Sequence, residues 1–203
     1  VVGNGARGHR DAVRAFAEVC EGPGQHPYPI QAGLTEMREA GWEDRALRVL
    51  REAWQSGGPF HPWAPVFWID SPDGQDADPG DRLRAADTAI KAYPKFVPGH
   101  DCKAEQLALA GRYDEALAAC KPAELGEPPV ELRSRAAWIE AKRGDRSKAI
   151  TIMRQLVTEH PSFVSGWRQL AAWYDTTGKH RECLEAAEQF VKLEPTNPLA
   201  YIY

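Results

Sequence analysis

The feature that most constrains this chain is a punctuation that returns every 33 or 34 residues. Pro94, Pro128, Pro161 and Pro195 stand 34, 33 and 34 residues apart. Gly111, Gly144 and Gly178 keep the same period, and Gly41 precedes Gly111 by 70 residues, two periods and a short insertion. Proline cannot continue a helix, and glycine supplies the left-handed conformation that ends one. A fixed period of this length restricts the chain to an array of equal units, each stacked on its neighbours.

The residues between the marks are helical in spacing. Five positions after the glycines come small side chains, Ala46, Ala116, Ala149 and Cys183. One helical turn further stand Leu50, Cys120, Met153 and Ala187, and then Ala53, Ala123, Leu156 and Phe190. Positions i, i+4 and i+7 share a helix face, so the three slots form one buried stripe on which a neighbouring helix approaches closely. Ala12, Phe16 and Val19 extend the same grammar backward, and Ala86 and Ala89 keep it ahead of Pro94. Each unit is predicted to run helix, turn at Gly, helix, stop near Pro. Asp78-Pro79 and Asn197-Pro198 place a capping side chain before a proline at the first helical position.

Trp167, Leu170, Ala171 and Tyr174, followed by Gly178, Cys183 and Pro195, resemble the tetratricopeptide repeat, whose pattern is W-x2-L-G-x2-Y, a small residue and a closing proline. Other units match it less well. Residues 130–163 carry Arg133 and Glu140 in the Trp and Tyr slots, and the unit from Val97 carries His100 and Lys103 in the aromatic and Leu slots. The resemblance implies an all-α fold: a right-handed α-solenoid of helix-turn-helix units, about five with partial ends. It is expected to occupy residues 1–203 as one domain, a fragment of a longer array, since the sequence starts without Met and stops inside a repeat. The last residues, Tyr201-Ile202-Tyr203, would leave an uncapped face suited to self-association.

Residues 57–80 depart from the pattern as an irregular aromatic and proline-rich insertion. Pro59, Pro62 and Pro65 oppose an early helix start, so Val66 to Asp70 is expected as a short helix or an extended piece. Phe60, Trp63 and Trp68 either fill the gap left by an imperfect repeat or form an aromatic partner-binding patch. Asp73, Asp76, Asp78 and Asp81 lack the alternating ligand order and terminal Glu of a calcium loop and read as a solvated acidic stretch.

Chemistry is sparse. With 43% hydrophobic and 27% charged residues the chain is expected to fold, and its net charge of −4, without a basic stripe, argues against nucleic acid. Cys20, Cys102, Cys120 and Cys183 are far apart and form no CxxC pair, and no apolar run reaches membrane-span length. Neither a zinc-protease His pair, a phosphate loop nor a nucleophile elbow is present, so no metal, cofactor or catalysis is expected. The expected setting is the cytoplasm.

The resemblance implies binding instead. In tetratricopeptide proteins the first helix of each repeat lines a concave groove, which here gives Tyr28, Gln31, Thr35 and Arg38, then Asp101 and Glu105, then Ser134, Trp138 and Lys142, then Arg168 and Asp175. Trp138 is the expected anchor, with inter-repeat core packing as the alternative use of the same indole. The Asn slots of the carboxylate-clamp members hold Thr35, Glu105, Trp138 and Ala172, so a clamp is not expected. The leading expectation is a scaffold for a protein or peptide partner. An accessory domain of a larger enzyme and an RNA-binding helical repeat stay open as alternatives.

Overall fold

The structure, a computed structural model, describes residues 3–24, 26–198 and 202, with side chains from His9 onward. Its regular elements among these are helices: α1 (Gly3–Glu21), α2 (Tyr28–Glu39), α3 (Glu43–Gln55), α4 (Trp63–Asp70), α5 (Pro72–Asp76), α6 (Pro79–Ala92), α7 (Val97–Leu109), α8 (Tyr113–Ala119), α9 (Val130–Arg143), α10 (Arg146–Glu159), α11 (Val164–Thr176) and α12 (His180–Leu193), with a 3₁₀ turn at Ala123–Leu125. None is long and apolar enough to cross a membrane.

The turns follow one design. Gly41, Gly111, Gly144 and Gly178 all have positive φ, between 68° and 107°. At each, the residue after the glycine donates its N–H five residues back while the glycine N–H bonds three back. Lys179 to Tyr174 (2.9 Å) with Gly178 to Asp175 (3.0 Å) is one instance, and Trp42 to Met37 (2.8 Å) with Gly41 to Arg38 (2.9 Å) another. This pair of hydrogen bonds satisfies carbonyls that a helix end leaves open, and only the left-handed residue permits it without strain. The far ends are equally regular. Tyr93, His160 and Glu194, each just before a proline, adopt φ/ψ of −133/76°, −128/74° and −131/70°. Proline forbids the α region to the residue before it, which fixes where α6, α10 and α12 stop.

Contacts divide the chain into two compact units, Val1–Gln106 and Leu107–Tyr203. In the first, α1 packs on α2 and α3, α3 on α4, and α4 on α6. Phe16, Cys20, Leu50, Trp68, Ile69 and Ala86 are among its core residues. In the second, α9 pairs with α10 and α11 with α12, with α8 on α9 and α10 on α11. Ala137, Leu156, Leu170, Tyr174 and Ala187 are among the residues that fill it. The small-residue stripe is buried: Ala46, Leu50, Ala116, Cys120, Ala149, Met153, Cys183 and Phe190 are all at most 5% exposed. Cys183 Sγ lies 3.4 Å from the Ala171 carbonyl oxygen, so two small slots set the spacing of α11 and α12.

Two expectations need correction. Ala123 is exposed in the 3₁₀ turn, not part of a helical stripe, because Pro122 follows closely on the end of α8. The segment from Val66 is helical from Trp63 onward, with Pro65 inside the first turn of α4. A first-turn N–H has no intrahelical partner to lose, so proline is tolerated there. The following α5 is capped by Ser71 Oγ, which accepts from Gly74 N–H at 3.3 Å. Asn197 and Pro198 open a segment of which Tyr201 and Tyr203, and with them most of the expected self-association face, lie outside the described residues.

Candidate functional site

The expected groove residues occupy first helices in both units. In the first unit Tyr28, Gln31, Thr35 and Arg38 lie along α2 and are exposed, Tyr28 at 74%. Thr35 Oγ1 bonds back to the Gln31 carbonyl at 3.0 Å, which turns its hydroxyl toward its own helix. Asp101 and Glu105 are one turn apart on α7, half-buried, and both already engaged with neighbours. In the second unit Trp138 and Lys142 are one turn apart on α9, with Ser134 one turn before Trp138, and Arg168 and Asp175 are exposed on α11.

Trp138 has the most developed surroundings. The Arg135 guanidinium lies 4.9 Å from the ring centroid and the Lys142 ammonium 5.3 Å, at positions i−3 and i+4 on the same helix. The indole is half-buried, and two cations hold its orientation through the negative face of the π system. Other polar groups of α9 are committed to α10. Arg133 reaches Glu159 of α10 at 2.6 Å, and the hydrogen bonds from Gln155 and Arg133 hold the Glu159 carboxyl below the usual range. Glu140, buried to 3%, is paired at 2.6 Å with Lys148 of α10. The Tyr slot of this repeat is thus filled by an ion pair.

The aromatic slot has a structural role. Trp167 Nε1 donates to the carbonyl of Pro161, six residues earlier, at 2.8 Å. His100 Nε2 makes the same bond to Pro94, also six residues earlier and at 2.8 Å. Histidine therefore replaces tryptophan without losing the tie between the closing proline and the next helix. The local sequences Phe96-Val97-Pro98-Gly99-His100 and Phe163-Val164-Ser165-Gly166-Trp167 carry this kinship, a signal that comparison with the family pattern alone passes over.

The aromatic patch is not confirmed as a group. Phe60 and Trp68 are 6% and 1% exposed and belong to the core, because α4 packs between α3 and α6. Trp68 lies 5.1 Å from Trp54. Trp63 alone is half-exposed, and it joins two residues that sequence reasoning did not single out, Tyr93 and Phe96, around a cleft. The acidic stretch has local roles as well: Asp78 caps α6 by accepting from Gly80 N–H at 2.8 Å, and Asp81 pairs with Arg84. Among the described residues, no three His, Cys, Asp or Glu side chains converge as metal ligands would.

No family model matches the chain, and no curated protein matches it in sequence. Solved structures do match. TTC0263, a thermophilic TPR protein of Thermus thermophilus, superposes with a TM-score of 0.62 at 20% identity, over 80% of this chain and 89% of that one. MamA from Desulfovibrio magneticus RS-1 superposes with a TM-score of 0.55 at 15% identity, over 93% of this chain and 98% of that one. At such identities the likeness concerns the backbone, and together with the recurring turns it establishes an all-α, tetratricopeptide-like helical-repeat fold for this protein.

Proposed function

We propose that this protein is a non-catalytic interaction scaffold that holds a protein or peptide partner against the first helices of its repeats, without a carboxylate clamp. The observation that carries this reading is Trp138: a half-buried indole, held by Arg135 and Lys142, on a first-helix position that the core does not consume. Aromatic side chains with restricted rotamers make interface anchors, because they bury much area at little loss of conformational freedom. Lys142 supplies charge beside it on α9, and the exposed Arg168 and Asp175 offer charge of both signs on α11. Tyr28, Gln31 and Arg38 on α2, and Asp101 and Glu105 on α7, are proposed to serve the first unit in the same way.

The test is affinity capture from the source cell, identification of the bound protein, and titration of that partner with purified wild type, Trp138→Ala and Arg168→Ala. Losing an anchor of about 2 kcal/mol weakens binding roughly thirtyfold, and Trp138→Ala is expected to do so with an unchanged helical circular dichroism spectrum. Equal affinity for wild type and both variants would remove the second-unit surface from consideration.

A further inference from the structure

In the first unit, the end of α1, the start of α4 and the connection from α6 to α7 surround a cleft of about 960 Å³. Its walls include Pro23, Pro62, Trp63, Tyr93, Phe96 and Pro98. Pockets of roughly 300–1,000 Å³ with apolar walls and few polar groups are the usual form of a small-ligand site. Several contacts preform this one. Trp63 meets Phe96 edge to face at 5.3 Å, Phe60 meets Tyr93 at 5.7 Å, and the Tyr93 hydroxyl donates to the Phe60 carbonyl. Prolines with fixed φ stand on all three sides.

The polar groups of the cleft narrow the choice of occupant. Its prolines have no N–H. The Trp63 N–H is taken by His61 Nδ1 (3.3 Å), the Tyr93 N–H by the Ala89 carbonyl (2.8 Å) and the Phe96 N–H by the Tyr93 carbonyl (2.9 Å). A peptide carbonyl laid over these three aromatic residues would meet backbone N–H groups that are already engaged, at the cost of its own desolvation. Among the described residues Lys95 is the only charged one in the lining, and it is exposed. The fitting ligand is apolar over most of its surface and carries one negative group.

We propose that this cleft binds a free amphipathic carboxylate, with an aryl or alkyl body seated on Trp63, Tyr93 and Phe96 and its carboxylate on Lys95. The proposal stands apart from the α9 and α11 surface. It is tested by isothermal titration of the intact chain with 6-phenylhexanoate, with 6-phenylhexylamine as the charge-reversed probe and an N-acetylated Phe-Glu dipeptide amide as the peptide probe. One exposed ion pair gives the carboxylate an advantage of up to about fivefold over the amine. Lys95→Glu, a surface change that leaves the walls intact, is expected to reverse that order, and Trp63→Leu to weaken both ligands. Equal binding of acid and amine, indifference to Lys95→Glu, or preference for the dipeptide would each overturn the proposal. Because Lys95→Glu lies outside α9 and α11, partner binding through Trp138 is expected to survive it, so the two readings fail separately.

Discussion

Gly166→Ala is the substitution whose outcome the packing of the last repeats most directly dictates. Gly166 is the third residue of α11 and faces the end of α10. A Cβ built there would fall 2.6 Å from Val157 Cγ1 and 2.7 Å from Phe163 Cδ1. Neither neighbour is the loose end of a flexible chain: Val157 is 2% exposed, and Phe163 packs against the same core. Inserting a methyl into such a site costs about 1–3 kcal/mol, against which alanine returns at most about 1 kcal/mol of helix propensity. The net expectation is a loss of about 1–2 kcal/mol, or roughly 2–8 °C in Tm for a chain of this size. Gly99 is the internal control. It holds the same slot two repeats earlier, but its Cβ would lie 3.3 Å from Ile90 Cγ1 and 3.4 Å from Phe96 Cδ1, so Gly99→Ala is expected to be near neutral. Urea titrations followed by circular dichroism at 222 nm separate the cases, provided that the denaturant slope is unchanged. If Gly166→Ala proved as stable as Gly99→Ala, close approach would not be what keeps glycine at this slot.

The buried Glu140 carboxylate depends on Lys148, so Lys148→Ala is expected to destabilise the fold by about 1–3 kcal/mol, measured by urea denaturation. Burial, with the neighbouring Glu21 charge, pushes the Cys20 thiol up to about 12. Unfolding lets that proton leave first, so the stability held by Cys20 is complete below about pH 9 and is lost as pH rises toward 12; Cys20→Ala is expected to flatten that limb, and native protein to resist thiol reagents at Cys20 near pH 8. Burial lowers the pKa of His61, whose Nδ1 must stay unprotonated to accept from Trp63 N–H at 3.3 Å. Its contribution is present above about pH 6.5 and is lost as pH falls through the depressed folded value, so His61→Asn, which cannot protonate, is expected to flatten the acid limb of stability against pH.

The second helices were legible in the sequence because their determinants are short-range and uncompensated. Only glycine takes the left-handed turn at Gly41, Gly111, Gly144 and Gly178 without strain, and only small side chains fit at Ala46, Ala116, Ala149 and Cys183, so few substitutions blur the period. Where period and local chemistry conflict, local chemistry wins. Pro122 already forbade the helix that would have buried Ala123. Pro65 is a helix breaker by identity, yet its position matters more, since a proline in the first turn of α4 removes no hydrogen bond.

The first helices were harder to read because one physical task there has several chemical solutions. The tie to the closing proline needs a ring N–H at the right reach, which Trp167 and His100 both supply. The Tyr slot needs its space filled, which Tyr174 does in one repeat and the Glu140–Lys148 pair in another. Such exchanges erase the family pattern while keeping the backbone. The same freedom acts on side chains that point away from these tasks. Trp138 could therefore be placed on a first helix from spacing alone, whereas its cation neighbours needed no long-range knowledge, since Arg135 and Lys142 stand at i−3 and i+4. The aromatic cleft is the opposite case: Trp63 lines it together with Tyr93 and Phe96, some thirty residues further along the chain, a separation no helical period encodes, and only the packing of α4 against α6 brings them together.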